Sequence, residues 1–535
     1  MPGASGPDGS GARGAGPSVR AVPAGPARRP APLVRRAAVA SVAVAALAAG
    51  ALVLLTQYGD GNGDRDGGRP AARPVGGAPG AAGSLAALTA RTRTSPRDAG
   101  AWTALGTALT ERGARAADTT YYPKAQAALA RSLALRPAER GNLAAMVGMA
   151  KLSHARGDFA AARRWGETVR LRAPEEWATY PLLIDSYGRL GDVKAAARAA
   201  EELTEKRGGA AALGWTAQTY RDKGWREDAA VLAAQAAVAA EEAPEKAEQL
   251  RRSAELAWER GDFTESLGYF DASLALDRRS GAATAGRAGV LAAVGRTAEA
   301  VKAYRVALTL APRPEYSLEL GELAEATRGE GAGAAQFGVV RAQVAHDREQ
   351  GVRDDLVLGR LEADHGDAEE AVELLRGEWS RRPGAEVADA LGWALHRTGD
   401  NEAAQEYARR AMKEGVRSAL FLFHRGEIER GLGDYGAARR YLSEALRVNP
   451  AFSPLWAPRA REVLDRLGEP PEGGPRNVWG YRPKVRANAD SGGGSRSGST
   501  RASGSRGESR SASSAPSASK REPVRKQEPT GRRGR

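Results

Sequence analysis

The sequence predicts an all-α protein in which about ten helix–turn–helix units stack into a solenoid. The first observation is a glycine-centred turn that recurs about every 34 residues. The second is an apolar pattern of helical period on both sides of each turn. The third is the absence of cysteine in 535 residues, which excludes disulfide scaffolds, cysteine-ligated metal sites and thiol catalysis.

The recurring turn is a glycine, most often followed by aspartate, between two helices of each unit. Glycine lets the chain leave the first helix at low steric cost, and aspartate can cap the second helix. Proline then ends the second helix in several units. Between residues 99 and 450 we expect about ten units, one of them degraded around Gly329–Gly333, and a capping helix over Ser453–Leu467. The turn glycines are Gly157, Gly191, Gly224, Gly261, Gly295, Gly366, Gly399 and Gly433.

Individual units match a known repeat in detail. Trp102, Leu105 and Gly106 open the first unit, and Gly426, Ala438, Leu442, Ala445 and Pro450 mark the tenth. Residues 84–467 therefore resemble a tetratricopeptide-repeat (TPR) protein, and YYPKAQAALARSLALRP in particular resembles membrane-anchored bacterial TPR proteins. The resemblance implies a right-handed superhelix whose concave face, lined by the first helix of each pair, binds a protein or peptide. It implies neither catalysis nor a cofactor.

Helix geometry indicates which side chains line that concave face. In each first helix, these residues point away from the second helix. Ordinary surface or stacking contacts are the alternative for each of them. The predicted groove residues are Lys151, Asp185, Gln218, Arg221, Arg251, Glu255, Arg360, Trp393, Phe423, Glu427 and Arg430.

No motif for catalysis or for a cofactor stands in the right context. Gly431–Gly436 spells GxGxxG, but it lies between two predicted helices with no strand before it. The five histidines are scattered; His396 and His424 lie on first helices of adjacent units and could both reach the groove, with polar groove lining or solvated surface as the alternative to a metal pair. We expect no catalytic residue, no cofactor and no metal site, so the chain is not predicted to be an enzyme.

Residues 37–56 are twenty consecutive uncharged, mainly apolar residues, enough to cross a bilayer as a helix. More arginine precedes than follows this segment, which predicts the N-terminus in the cytoplasm and the array outside. A cleaved signal peptide is an alternative because Ala46-Leu47-Ala48 fits a cleavage site, and it would give a secreted form. The apolar run Leu52–Leu55 directly after that site favours an uncleaved single-pass anchor.

The charge of +14 lies at the ends of the chain. Residues 1–36 are predicted to be a disordered basic cytoplasmic segment, 57–83 a flexible linker, and 468–535 a disordered Ser/Arg-rich tail. The central part is almost neutral, so a folded nucleic-acid groove is not expected. The tail could contact an anionic polymer or lipid head groups, and Trp479 and Tyr481 could dock on the last helices.

These features predict a membrane-tethered scaffold that binds a protein or peptide partner in its groove. One alternative is an assembly factor for envelope or cofactor biogenesis that holds an unfolded client in the same groove. Another is a regulator linked to nucleic acid through the basic tail, which requires a cytoplasmic C-terminus.

Overall fold

A computed structural model describes residues 84–480, in which all regular secondary structure is helical and there is no strand. A leading helix α1 (Leu85–Thr94) precedes ten helix pairs, numbered here repeats 1 to 10, and α22 (Trp456–Leu467) follows them. The first helices of repeats 1 to 10 are α2 (Ala99–Ala116), α4 (Leu143–Ala155), α6 (Tyr180–Arg189), α8 (Gly209–Asp222), α10 (Ala243–Arg260), α12 (Gly281–Ala293), α14 (Pro314–Arg328), α16 (Leu356–His365), α18 (Ala385–Arg397) and α20 (Ala419–Gly431). The second helices are α3 (Tyr121–Leu135), α5 (Phe159–Arg172), α7 (Val193–Lys206), α9 (Arg226–Ala239), α11 (Phe263–Leu276), α13 (Thr297–Leu310), α15 (Ala334–Glu349), α17 (Ala368–Arg381), α19 (Asn401–Met412) and α21 (Tyr435–Val448). The ten predicted units are thus confirmed.

The Gly-Asp turn folds as the residue types predict. Gly191 and Gly433 both take a left-handed conformation, with φ of 75° and 78°. The aspartate after each accepts a 2.9 Å hydrogen bond from the backbone N–H three residues on, at Ala195 and Ala437. Each aspartate therefore caps its second helix, and the GxGxxG spelling at Gly431–Gly436 is such a turn.

Small residues on the first helices let the second helices pack closely. A Cβ on Gly359 would lie 2.5 Å from the side chain of Leu375, and one on Gly426 would lie 2.6 Å from that of Leu442. Leu375 and Leu442 are both fully buried. Glycine at these positions is therefore required by the close approach of the two helices in a pair.

The C-terminal end of the array is closed by α22, where the sequence predicts a capping helix. Ala460, Val463 and Leu467 join the apolar core of repeats 8 to 10, and the Ser453 hydroxyl accepts a 3.2 Å hydrogen bond from the Trp456 N–H. The helix therefore covers the last apolar face of the stack.

Residues 468–480 lie against repeat 10, although the sequence analysis assigns them to a disordered tail. The Arg439 guanidinium donates hydrogen bonds to the backbone carbonyls of Gly468 (2.6 Å) and Arg476 (2.8 Å). The ring of Trp479 packs on that of Tyr435 with centroids 5.2 Å apart, which confirms the predicted docking of Trp479. A buried arginine that donates to several backbone carbonyls orders this short segment, which has no apolar core of its own.

Parts of the array six repeats apart touch each other. The Arg353 N–H, just before repeat 8, donates a 2.8 Å hydrogen bond to the Arg156 carbonyl in the turn of repeat 2. The Asn449 side-chain amide, just before α22, donates a 2.8 Å hydrogen bond to the Trp258 carbonyl in repeat 5. The stack therefore winds so that each turn of the superhelix rests directly on the next.

The turn glycines lie in this contact. A Cβ on Gly191 would lie 2.6 Å from the Pro383 carbonyl oxygen, and one on Gly224 would overlap the Gly415 carbonyl. A Cβ on Gly433 would meet nothing within 4 Å. In repeats 3 and 4, glycine therefore serves both the local turn and the approach of a distant repeat.

The segment predicted to cross a membrane, 37–56, lies outside the described residues, as do the predicted linker 57–83 and Tyr481. Within 84–480, none of the helices combines the length and the apolar character needed for a membrane span.

Candidate functional site

The first helices of repeats 5 to 10 and α22 enclose a cavity of about 530 Å³. We call the surface that these helices present to the cavity the inner wall. Its apolar part includes Leu323, Val357 and Leu420. The contact between Trp258 and the segment before α22 borders the cavity, so successive turns of the superhelix meet beside the inner wall and narrow the groove there.

The inner wall carries more acid than base. Its carboxylates are Glu255, Glu315, Glu319, Glu322 and Asp364, and its guanidinium groups are Arg360 and Arg461. Glu315, Glu319 and Glu322 follow one face of α14 at intervals of four and three residues. The cavity is therefore negatively charged when these groups are ionised.

The surroundings oppose ionisation of these groups. Burial raises the pKa of Glu319 to about 8, and it also raises the pKa of Glu315 and Asp364. The Glu319 side chain is accessible from the cavity. Protein surrounds it on the other sides, and this desolvation raises its pKa.

Glu255 already pairs with Arg251. Glu315 and Glu319 form no ion pair with lysine or arginine within the described residues, although the charge of Arg360 partly offsets the effect of burial on their pKa. A cation brought to this wall would therefore gain most at Glu315 and Glu319.

Three of the predicted groove residues line the main cavity: Glu255, Arg360 and Trp393. Trp393 does so while largely buried, with its indole N–H donating a 2.7 Å hydrogen bond to Asp364 and its ring stacked on His424 at 4.3 Å. The Trp393 ring also lies beside His396, with ring centroids 5.1 Å apart, so the indole contacts both His396 and His424.

Three other predicted residues line a second cavity of about 420 Å³ between repeats 3, 4 and 9: Asp185, Gln218 and Arg221. Burial alone would raise the pKa of Asp185, but its 2.6 Å contact with His154 and the charge of Arg189 lower that pKa to about 2. Arg221 forms a bidentate pair with Glu259 at 2.8 and 2.9 Å. These polar groups have partners within the protein, so they are less available to a ligand than the acids of the inner wall.

Lys151 lines a third cavity of about 450 Å³ and pairs with Glu111 at 2.8 Å. Arg251 donates to Glu248 at 2.6 and 2.8 Å, and Arg430 donates to Glu427 at 2.8 Å. The inner wall does not include these three predicted residues, and it does not include Glu427 either.

Phe423 corrects the predicted groove most clearly. Its side chain is fully buried and stacks on Trp456 of α22 with ring centroids 5.6 Å apart. The capping helix covers the end of repeat 10, so this phenylalanine belongs to the core. The position of Phe423 within its repeat could not reveal its burial, because α22, the helix that covers it, is not part of the repeat pattern.

Register analysis missed the acids of repeat 7. That repeat lacks the Gly-Asp turn, so no register was assigned to α14 and none of its residues was a candidate. The available signal was the spacing of Glu315, Glu319 and Glu322, which places three carboxylates on one helix face.

The similarity of this sequence to a known family agrees with the helix pairs seen in the structure. The sequence model of the tetratricopeptide repeat matches residues 251–317 and 390–454, which cover repeats 5 and 6 and repeats 9 and 10. The chain therefore contains tetratricopeptide repeats in these two stretches. TPR proteins are generally non-catalytic scaffolds that bind protein partners.

The comparison with curated proteins gave no match for this TPR protein. Among solved structures, a tetratricopeptide repeat protein from Parabacteroides merdae is 18% identical, and the alignment covers 48% of this chain and 97% of that chain with a TM-score of 0.30.

Proposed function

We propose that this TPR protein is a membrane-tethered, non-catalytic scaffold whose inner wall binds a protein or peptide partner through a cationic segment of that partner. The observation that carries the proposal is the set of acids on the inner wall, where five carboxylates face two guanidinium groups. Desolvated carboxylates gain most from a cation that enters with them into a low-dielectric space.

The position of the acids also favours an extended ligand. Glu315, Glu319 and Glu322 run along about two turns of α14, a length of roughly 10 Å at 1.5 Å per residue. An extended peptide spans this with three or four residues. Lysine or arginine at alternate positions of such a peptide would meet successive carboxylates.

The tether in this proposal is residues 37–56, and the array then lies on the outer side of the cytoplasmic membrane. Its support is the uncharged length of that segment and the arginine bias before it. The basic tail would then face anionic polymer or lipid head groups outside. The negative inner wall disfavours nucleic acid as the ligand of the array itself.

Site-specific crosslinking in cells tests which surface holds the partner. A photo-crosslinking amino acid replaces Glu319 on the inner wall or, as control, Glu205 on the exposed side of α7. We expect one dominant crosslinked protein from position 319, and we expect that protein to be absent from the products of position 205. Equal labelling of that protein from both positions would contradict binding at the inner wall.

Charge variants then test how the partner is held. E315Q/E319Q removes two inner-wall carboxylates, and E201Q/E205Q removes two exposed carboxylates at the same spacing on α7. With the crosslinked protein as ligand, we expect the first variant to weaken binding by roughly tenfold or more, and the second to leave it unchanged. Unchanged affinity in E315Q/E319Q would refute the cationic segment.

The membrane tether has a separate test. A reporter that is active only in the cytoplasm is fused to the C-terminus of the full chain and of a variant lacking residues 37–56. We expect activity from the deletion variant alone. Activity from the full chain would place the array in the cytoplasm.

A further inference from the structure

Four ionisable side chains meet between the first helices of repeats 7 and 8. Glu322 and Glu325 lie on α14, and Asp364 and His365 are consecutive on α16. Potential ligand atoms of Glu322, Asp364 and His365 all lie within 4.8 Å of one another. Glu322 is 42 residues from Asp364 and 43 from His365 in the sequence, so the stacking of the two repeats brings it to the other two.

His365 points an unpaired ring nitrogen into this cluster. Its side chain is only 9% exposed, and its Nε2 has no hydrogen-bond partner within the described part of the chain. The nearest carboxylate oxygen, Glu322 Oε1, is 3.9 Å from Nε2, too far for a hydrogen bond. A buried polar nitrogen left without a partner is unfavourable, so this atom is placed for a partner that binds there.

The other side of the same ring is held. Its Nδ1 lies 3.1 Å from Glu325 Oε2, within hydrogen-bonding distance, and Phe337 stacks on the ring at 4.3 Å. Glu325 in turn accepts a 3.2 Å hydrogen bond from the Gly331 N–H. A proton on Nδ1 leaves the lone pair on Nε2, and a carboxylate behind a histidine is the arrangement commonly found behind metal-bound imidazoles.

The two carboxylates complete the set. The Trp393 indole donates a 2.7 Å hydrogen bond to Asp364 Oδ1, which orients that carboxylate and leaves its second oxygen available. Glu322 pairs with no lysine or arginine within residues 84–480. Two carboxylates and a neutral imidazole balance a divalent charge, and one nitrogen with two oxygens suits Zn²⁺ or a similar borderline cation.

We propose that Glu322, Asp364 and His365 bind one divalent cation of the Zn²⁺ class, with Nε2 and one oxygen of each carboxylate as its ligands. Small side-chain rotations bring three atoms at this separation to metal–ligand distances of about 2.0–2.2 Å. Glu325 positions the imidazole from behind. Both carboxylates also line the main cavity, so a fourth coordination position faces that cavity and takes water. The ion links repeat 7, whose turn is degraded, to repeat 8.

Metal titration of the full-length chain, expressed without a polyhistidine tag and stripped with a chelator, tests this site. The probe is Co²⁺ alone, whose visible absorption reports coordination by nitrogen and oxygen ligands, followed by its displacement with Zn²⁺. We expect one Co²⁺ per chain. H365Q should abolish the absorption, and E325Q should weaken binding by roughly 10- to 100-fold through the outer carboxylate.

H346Q is the matched control, because His346 is an exposed histidine on α15 in the neighbouring repeat 7. We expect it to bind Co²⁺ as the unmodified chain does. D364N provides a second ligand variant, and the helical circular dichroism of each metal-free variant shows whether it folds. The proposal is overturned if the unmodified chain binds no stoichiometric Co²⁺, or if H365Q and D364N, once folded, keep its spectrum; the cluster would then be a buried ion-pair network only.

Discussion

Gly191 tests whether the contact between repeats six apart holds the array together. Gly191→Ala places a Cβ in a left-handed residue, which costs about 1–2 kcal/mol by itself. The new Cβ would also lie 2.6 Å from the Pro383 carbonyl oxygen, whereas real Cβ contacts essentially never fall below 3.0 Å. The turn and the distant loop must therefore separate, at an additional cost of about 1–3 kcal/mol.

Gly433→Ala is the control that isolates the second cost. Gly433 has nearly the same φ, is followed by the same capping aspartate, and has nothing within 4 Å of a Cβ. We expect Gly433→Ala to show the left-handed penalty alone. Gly295→Ala provides the same control in mid-array, since its φ is 78° and its Cβ position is also open.

Hydrogen exchange of the full chain measures the effect locally, because a long repeat array does not unfold in a single two-state step. In Gly191→Ala we expect faster exchange around residue 191 and also at residues 384–388, six repeats away. In the two controls we expect faster exchange only beside the substitution. If Gly191→Ala leaves residues 384–388 as protected as the controls do, the contact between turns contributes nothing and the reasoning fails.

Three further predictions follow from single side chains. Because burial raises the pKa of Glu319 to about 8 from its ordinary 4.5, folding takes up a proton in that window and stability falls as pH rises through it; melting temperatures should fall less over this range in E319Q. E378Q removes one of the two carboxylates that pair with the Arg382 guanidinium, which is only 4% exposed and keeps Asp354 as its other partner; it should cost about 1–3 kcal/mol, visible as a lower melting temperature, whereas an unchanged value would contradict a buried pair. F423A removes a fully buried ring and should cost about 3–5 kcal/mol by calorimetry, with repeat 10 and α22 the first to exchange.

The sequence was sufficient for the local fold. The ten repeats, the Gly-Asp turns and the capping helix all follow from interactions within about 40 residues, which leave a periodic trace in the chain. The docking of Trp479 on Tyr435 was also visible, because an exposed aromatic in a Gly/Pro-rich segment needs a surface to cover it.

The contacts between turns could not be predicted in the same way. They join Gly191 to Pro383 and Arg156 to Arg353, at separations of nearly 200 residues. Whether such residues meet depends on the small rotation between successive repeats, summed over six of them. No local motif encodes that sum. The glycines at the contact looked identical in sequence to those, such as Gly433, that contact nothing.

The candidate site was predicted in part for the same reason. Register placed Glu255, Arg360 and Trp393 on the inner wall, and it failed for Phe423, which the capping helix buries. The repeat register makes no prediction for repeat 7, where the Gly-Asp turn is lost, and therefore none for Glu319. A degraded repeat is thus the place where a repeat-based analysis is least informative, and here it holds most of the acids.

The contact between turns also bears on how a partner reaches the inner wall. The Trp258–Asn449 hydrogen bond borders the main cavity, so adjacent turns must separate before a partner wider than the present opening can enter. Separation breaks a few backbone contacts while each helix pair keeps its own core, so it is the least costly opening available to the array. Weakening the contact between turns should therefore raise the association rate of the partner, while the stability of the individual helix pairs changes little. An inner wall that is acidic and narrowed by the contact between turns is consistent with a scaffold that selects a cationic partner and admits larger segments only when the turns separate.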